Sequence, residues 1–561
     1  MFKGGRPKDS IWAQYDESTE KGKMNCKACS TPVSAKADRL KAHHKKCSAS
    51  FKEPPSVGDA FACLQVAVKP EPAAVMVEQS RPPKKLQSSL LGHVVTTSKA
   101  DKEEIDLCVA EFFYAANIPF NAAEHPKFLA MCEALRAGYK PPTRKAIGGV
   151  LLDKVHAKLQ TSMKDKLQDK TVTMQQDGWS TPSNEPVIST SVTCEGVGYF
   201  MDAQLTGSKS KTAEACQEML EESKAFAEQT FGCKVRSVVT DNAPAMAKMR
   251  DGLERDDHDV ITYGCLAHWL NLLGADITDS ALLKRVEDIL RPFRKQHTPS
   301  ALLREYQDSV RPQLSNDTRW NSQLDCMDSY IKNRTFMIDI IQKHPQAIDN
   351  KVQRAIMDNT LFRKVVDMTN MLRPISIALL RAQADSTSLA DGYDIMLKLV
   401  SDPVLQPQLS KIKKRRAQAI QPCHMVAYML HPKYSGQGMD SEDAESARAW
   451  LAEISQEYVA AAITFQAQAS PYPQSFFQPA VLAMKPSTWC KSIGKNCKLP
   501  EGFVELMLSL HMTSASAACI ERIFSTFGLV MTKLRNRLGM DKAQKLVFCY
   551  RMFRGPTELD Y

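Results

Sequence analysis

Two sets of side chains in this 561-residue chain could do chemistry: a Cys/His quartet near the N-terminus, and three widely spaced carboxylates. The quartet reads Cys26-x2-Cys29, then thirteen residues, then His43-x3-Cys47. Zinc takes four N/S ligands in a tetrahedron. A Cys-x2-Cys knuckle supplies two, and a His and a Cys one helical turn apart supply the others. His44 is an alternative ligand, but His43 has the i,i+4 spacing to Cys47. Structural Zn²⁺ is therefore the expected cofactor. The carboxylates are Asp177, Asp241 and Glu521. Singly they are ordinary, because Asp177–Gly178 suits a turn, Asp241 an N-cap and Glu521 a solvated helix face. Three carboxylates gathered at one point repel each other and persist where cations neutralise them, which calls for Mg²⁺ or Mn²⁺ with carboxylate and water ligands.

The elements that would gather them follow from the hydrophobic pattern. Thr171–Met174 is β-rich and leads into Asp177–Gly178–Trp179–Ser180. Pro186–Cys194 and Val197–Leu205 read as strands around a turn at Glu195–Gly196. A helix from Thr212 to Gln229 precedes a strand, Val235–Val239, that delivers Thr240–Asp241–Asn242. A short strand at Val260–Tyr263 and Cys265–Leu266–Ala267–His268 follow, opening a helix from Trp269 to Ile277. Three strands, a helix and a fourth strand, with acids on the first and at the end of the fourth, is the order of a ribonuclease H-like fold. Glu521 then belongs on a late helix. The 280-residue step from Asp241 to Glu521 requires a large α-helical insertion.

The expected architecture is an α/β ribonuclease H-like core interrupted by an all-α insertion and preceded by a zinc finger and a helical segment. Its parts are the finger (1–48), a Pro-punctuated flexible linker (49–103), a helical segment (104–169) and the core (170–276). The insertion (277–500) and a C-terminal region (501–561) complete it. In the helical segment, helices are expected at Pro126–Ala137 and Thr143–Lys164. The C-terminal region begins with a helix placing Ile520, Phe524, Phe527, Met531, Leu534 and Leu538 at alternating 4,3 spacing. That stripe must bury against the sheet or a second subunit. A last apolar helix spans Ala543–Phe553.

The net charge of +10 is uneven: residues 1–50 hold eleven Lys/Arg against five acids, which points to a polyanionic partner. The chain has no apolar run of the ~18 residues that a membrane span needs, so no membrane partner is expected. The sixteen cysteines read as reduced thiols of an intracellular protein. Arg81-to-Lys85 and Lys411-to-Arg416 are short basic clusters that suit nuclear import.

Ser34 can cap a finger helix from Ala35 to Lys46, on which Lys36, Arg39, Lys41 and Lys45 would meet phosphates or base edges of double-stranded DNA. With Trp12 and Tyr15 against the zinc core, this resembles a BED-type zinc finger. The runs Asp177–Gly178–Trp179–Ser180, Thr240–Asp241–Asn242–Ala243, Cys265-x2-His268, Thr318–Arg319–Trp320 and Ser516-to-Ser525 occur in that order. Together they resemble a hAT-superfamily transposase with a C-terminal hAT dimerisation region. The segment from about 108 to 260 looks like the uncharacterised domain that accompanies BED fingers in one branch of that superfamily. The resemblance implies a DDE mechanism with Asp177, Asp241 and Glu521 as ligands of Mg²⁺ or Mn²⁺, and self-association through the C-terminal helices. It also implies that Cys265 and His268 lie beside the active site, against the alternative of a buried thiol and a core histidine. Trp320, beside Arg319, would stack on a flipped base or hairpin end, against the alternative of a core tryptophan. In the run before Glu521, Cys519–Ile520 stand where small residues are usual in the family. Cleavage and joining of transposon-end DNA in the nucleus is the expected activity. A catalytically inactive, zinc-finger DNA-binding regulator is the alternative. A nuclease for RNA–DNA hybrids fits less well with the finger and the insertion.

Overall fold

The N-terminal unit begins with three short antiparallel strands in consecutive order, β1 (Tyr15–Glu17), β2 (Lys23–Cys26) and β3 (Pro32–Ser34). The computed structural model describes residues 14–17, 22–27, 29–35, 39–40, 43, 47, 98–207, 212–316, 320–532, 535 and 538–555. Tyr15, Cys26, Leu40 and Cys47 form the small core here, and the Tyr15 hydroxyl donates to the Leu40 carbonyl at 2.8 Å. Trp12, and the linker as far as residue 97, lie outside the described residues. The chain divides into two units, Met1–Gly92 and His93–Tyr561.

The second unit opens with a capping box. Ser98 accepts from the Asp101 amide and Asp101 returns the bond, which starts α1 (Lys99–Ala115) inside the stretch expected to be linker. α2 (Pro126–Leu135) follows. The helix expected over Thr143–Lys164 is two helices, α3 (Arg144–Ile147) and α4 (Val150–Leu167), because Gly148 and Gly149 interrupt it.

A five-stranded mixed sheet comes next, made of β4 (Thr171–Ser180), β5 (Pro186–Cys194), β6 (Val197–Leu205), β7 (Lys234–Thr240) and β8 (Ile261–Gly264). Its order is β6-β5-β4-β7-β8. β4, β5 and β6 pair antiparallel, whereas β7 runs parallel to β4 and β8 parallel to β7. Glu195 and Gly196 both have positive φ (51° and 81°), the two-residue turn whose twist suits a β5–β6 hairpin. β4 continues through Asp177–Gly178, which pair with Ser189 and Ile188, so that dipeptide is strand and not turn.

Between and after the strands lie α5 (Ala213–Phe231), α6 (Pro244–Asp256) and α7 (Leu266–Ile277). The described residues of 280–512 contribute helices only, apart from short 3-10 turns and an isolated bridge from Ser388 to Ser514. They are α8 (Ser280–Lys295), α9 (His297–Arg304), α10 (Asn321–Lys343), α11 (Asn350–Met357), α12 (Asn359–Ala382), α13 (Leu389–Ser401) and α14 (Leu409–Ala419). α15 (Pro422–Met429), α16 (Ser441–Ile454), α17 (Gln456–Gln466), α18 (Pro479–Leu482), α19 (Pro486–Asn496) and α20 (Phe503–Met512) complete them. Two final helices, α21 (Ala518–Val530) and α22 (Met540–Arg554), return to the sheet.

The continuous 4,3 stripe is corrected here. α21 ends at Val530, Leu534 is outside the described residues, and Leu538 precedes α22. Ile520 and Phe527 are fully buried: Phe527 lies in the core around the sheet, where α21 packs over β4, β5 and β6, and Ile520 lies in the core of the helical region. Self-association through these helices stays a proposal. Among the described residues no helix is long and apolar enough to cross a membrane.

Candidate functional site

Alternation along β4 decides what faces what. The Gln176 amide donates to the Cys216 carbonyl of α5 at 3.2 Å, so even-numbered residues face α5. Gln175 and Trp179 face the other side: the Gln175 amide reaches the Ser516 carbonyl at 3.4 Å, and the Trp179 ring lies 5.9 Å from Phe524 and 4.9 Å from Phe527. Asp177 sits between them on the same side, level with the first turns of α21, where Glu521 stands. Pairing of Gln176 with Thr240 puts Asp177 and Asp241 at the same step, one residue further along adjacent parallel strands.

A polar seam delivers α21 to this face. The Ser514 amide donates to Thr173 Oγ1 at 3.2 Å, the Leu266 amide to the Ala515 carbonyl at 3.1 Å, and the Tyr263 hydroxyl to the Ser514 carbonyl. Cys265 links the two runs, its sulfur accepting the Ala517 amide at 3.3 Å. Burial pushes this thiol up to about 11, and Glu521 is among the charges acting on it. Cys265 is therefore a buried structural thiol that ties β8 to α21. His268, half-buried, stands one turn into α7 with its ring 6.5 Å from Trp269.

Two residues missed from the sequence hold Asp241. Arg250 is buried, with Nη1 donating to Thr240 Oγ1 at 2.5 Å and to the Asp241 carbonyl at 2.7 Å. Burial lowers its pKa, and the nearby Asp241 charge opposes that. Asn242 donates to the Cys265 carbonyl at 3.1 Å. Neither contact has a periodic signature; both follow from where α6 and β8 land. Asp241 Oδ1 accepts the Ala243 amide at 3.1 Å, which begins α6. Asp177 Oδ1 accepts the Gly178 amide at 2.6 Å, and Glu521 is exposed.

The donor chemistry of the two sets differs. Cys26, Cys29, His43 and Cys47 have their ligand atoms all within 4.8 Å of one another, and Cys29 Sγ lies 3.2 Å from His43 Nε2. A tetrahedral zinc needs S–N edges of about 3.5 Å, so the quartet fits zinc. Hydrogen bonding with Thr31 lowers the Cys29 thiol to about 6, favouring the thiolate that a metal requires. Among the described residues no other group of three or more His, Cys, Asp or Glu has its ligand atoms so close. Asp177 and Asp241 thus stand level on neighbouring strands, and together with Glu521 they form no such cluster. Their oxygen donors are those Mg²⁺ or Mn²⁺ prefers.

Of the expected DNA contacts, Arg39 is exposed, while Lys36, Lys41, Lys45 and Arg319 are outside the described residues. Trp320 is corrected. It is 5% exposed, its Nε1 donates to Thr278 Oγ1 at 3.0 Å, and its ring covers Gly274 of α7. It is a core tryptophan here, with no face open to a base. In the Lys411-to-Arg416 cluster, Arg415 pairs with Asp276 at 2.6 Å and Arg416 with Asp443, so two of its cations are structural.

Residues 142–294 match the family model of a domain of unknown function, DUF659, which points to a hAT-type transposase-like protein. The matched span starts and ends later than the 108–260 expected. It contains Asp177, Asp241, Cys265 and His268, whereas Glu521 lies beyond it. No curated protein matches the chain in sequence.

Proposed function

We propose that the chain is a hAT-like DNA transposase with a ribonuclease H-like core, in which Asp177, Asp241 and Glu521 hold divalent metal and the finger holds transposon-end DNA. The observation that carries this reading is the β6-β5-β4-β7-β8 strand order, with Asp177 on β4 level with Asp241 just past the end of the neighbouring parallel β7, and a late helix bearing Glu521 packed on β4, β5 and β6. The metal, when bound, would activate a water or sugar hydroxyl and stabilise the leaving oxygen. The chain's own contribution is positional. Arg250 fixes the Asp241 backbone, Cys265 and the 513–517 run fix the start of α21, and Trp179 packs under Phe524 one turn beyond Glu521. We further propose nuclear action, double-stranded DNA as the polyanion, and self-association of the chain.

One observation favours a second reading, an inactive DNA-binding regulator: the three carboxylates do not converge as the zinc ligands do. Mn²⁺- or Mg²⁺-dependent cleavage of duplex DNA from the flanks of the coding region separates the two. Cutting by wild type and not by Glu521→Gln supports the transposase. DNA binding with no cutting by either protein supports the regulator.

A further inference from the structure

α22 buries an arginine two of whose nitrogens have no partner among the described residues. Arg551 is 9% exposed, and its Nε and Nη1 have no hydrogen-bond partner among the described residues. A guanidinium has five N–H donors and stays charged, so buried arginines normally meet carboxylates or carbonyls. Arg551 instead lines a cavity of about 220 Å³ walled by Tyr199, Phe200, Phe548 and Met552, with the exposed Lys166 also lining it. No carboxylate lines this cavity among the described residues. Gly198 brings α21 against it, since a Cβ there would meet Cys519 Sγ at 2.1 Å. The cavity lies at the Cys194–Val197 end of the β5–β6 pair. Asp177 pairs further along β5, at Ser189, and the four residues from there to Thr193 span about 13 Å. It is therefore separate from the candidate acid site.

We propose that this cavity binds a small organic oxyanion, a carboxylate or phosphate on an apolar or aromatic body. Arg551 supplies the planar fork of donors, Lys166 a second cation, and the aromatic walls take the body of the ligand. The occupant's negative charge satisfies the donors that the fold leaves open. This inference does not depend on the transposase reading.

The test is isothermal titration of the full-length protein with phenylacetate, phenyl phosphate and, as the neutral counterpart, 2-phenylethanol. Saturable binding of at least one oxyanion is expected, with the neutral alcohol much weaker. The preferred probe distinguishes a carboxylate ligand from a phosphate ligand. Arg551→Met should weaken binding about 10- to 100-fold, the loss expected for charge-assisted hydrogen bonds. It should also raise the unliganded protein's thermal midpoint, because an unpaired buried charge is removed. Lys166→Ala, on an exposed side chain that folding does not need, should weaken binding about threefold. The proposal is overturned if no probe binds, if 2-phenylethanol binds as tightly as phenylacetate, or if both variants bind like wild type. A lowered midpoint for Arg551→Met would also overturn it, since the fold would then be supplying a partner.

Discussion

Trp320→Ala should destabilise the larger unit by about 3–5 kcal/mol, the usual cost of removing a large buried aromatic. The indole is 5% exposed, and its Nε1 bond to Thr278 Oγ1 at 3.0 Å adds a loss that Trp320→Phe would isolate at about 1 kcal/mol. The sharper test uses Gly274. A Cβ at that position would lie 2.2 Å from Trp320 Cε2 and 2.3 Å from Cδ2, so Gly274→Ala in the wild-type background overpacks the helix pair. The expected cost is about 1–3 kcal/mol. In the Trp320→Ala background the same methyl enters the vacated space. There the helix-propensity gain of alanine over glycine, up to about 1 kcal/mol, should make it stabilising. The two substitutions are thus coupled, and the double variant should be more stable than Trp320→Ala alone. Urea unfolding followed by far-UV circular dichroism reads this out, with duplex-DNA affinity measured in parallel. If Gly274→Ala costs the same in both backgrounds, the packing reading is refuted. It is equally refuted if Trp320→Ala leaves stability untouched while DNA affinity falls.

Cys26→Ser should release zinc and unfold the N-terminal finger while the main thermal transition stays in place, because the chain forms two units; zinc content and calorimetry check it. Duplex-DNA affinity should fall steeply with added salt if the finger meets phosphates, and a flat salt dependence speaks against it. Stability should drop as pH falls from about 6.5 towards 4. Burial depresses His424 and His431 to about 4 and His511 to about 3, so the unfolded chain takes up protons first. Each histidine contributes up to about 1.4 kcal/mol per pH unit in that window, readable as urea midpoints between pH 7 and 5. Gly264→Ala should disturb the Asp241 loop, since its Cβ would fall 1.9 Å from Asn242 Oδ1; loss of metal-dependent activity with a normal finger is the expected result.

The strands of the sheet were legible because each is a β-rich run bounded by turn residues, and β5 and β6 match their expected ranges residue for residue. β4 was read too short. Asp177, Gly178 and Ser180 are poor strand formers, and pairing with β5 carries them anyway. The α21 stripe was real, but a one-dimensional pattern does not say where a helix stops. Ile520 and Phe527 are both buried within this chain before Met531 is reached. The roles of Arg250 and Arg551 left no sequence signal, because they arise from how separate elements pack. Trp320 carried a family expectation that its burial overrides.

The most direct test of the central claim is Mn²⁺ titration of the zinc-loaded protein followed by electron paramagnetic resonance. Wild type should bind Mn²⁺ at a site that Asp241→Asn and Glu521→Gln each weaken, with bound zinc unchanged. Identical Mn²⁺ binding in all three proteins would contradict a metal centre built from Asp177, Asp241 and Glu521.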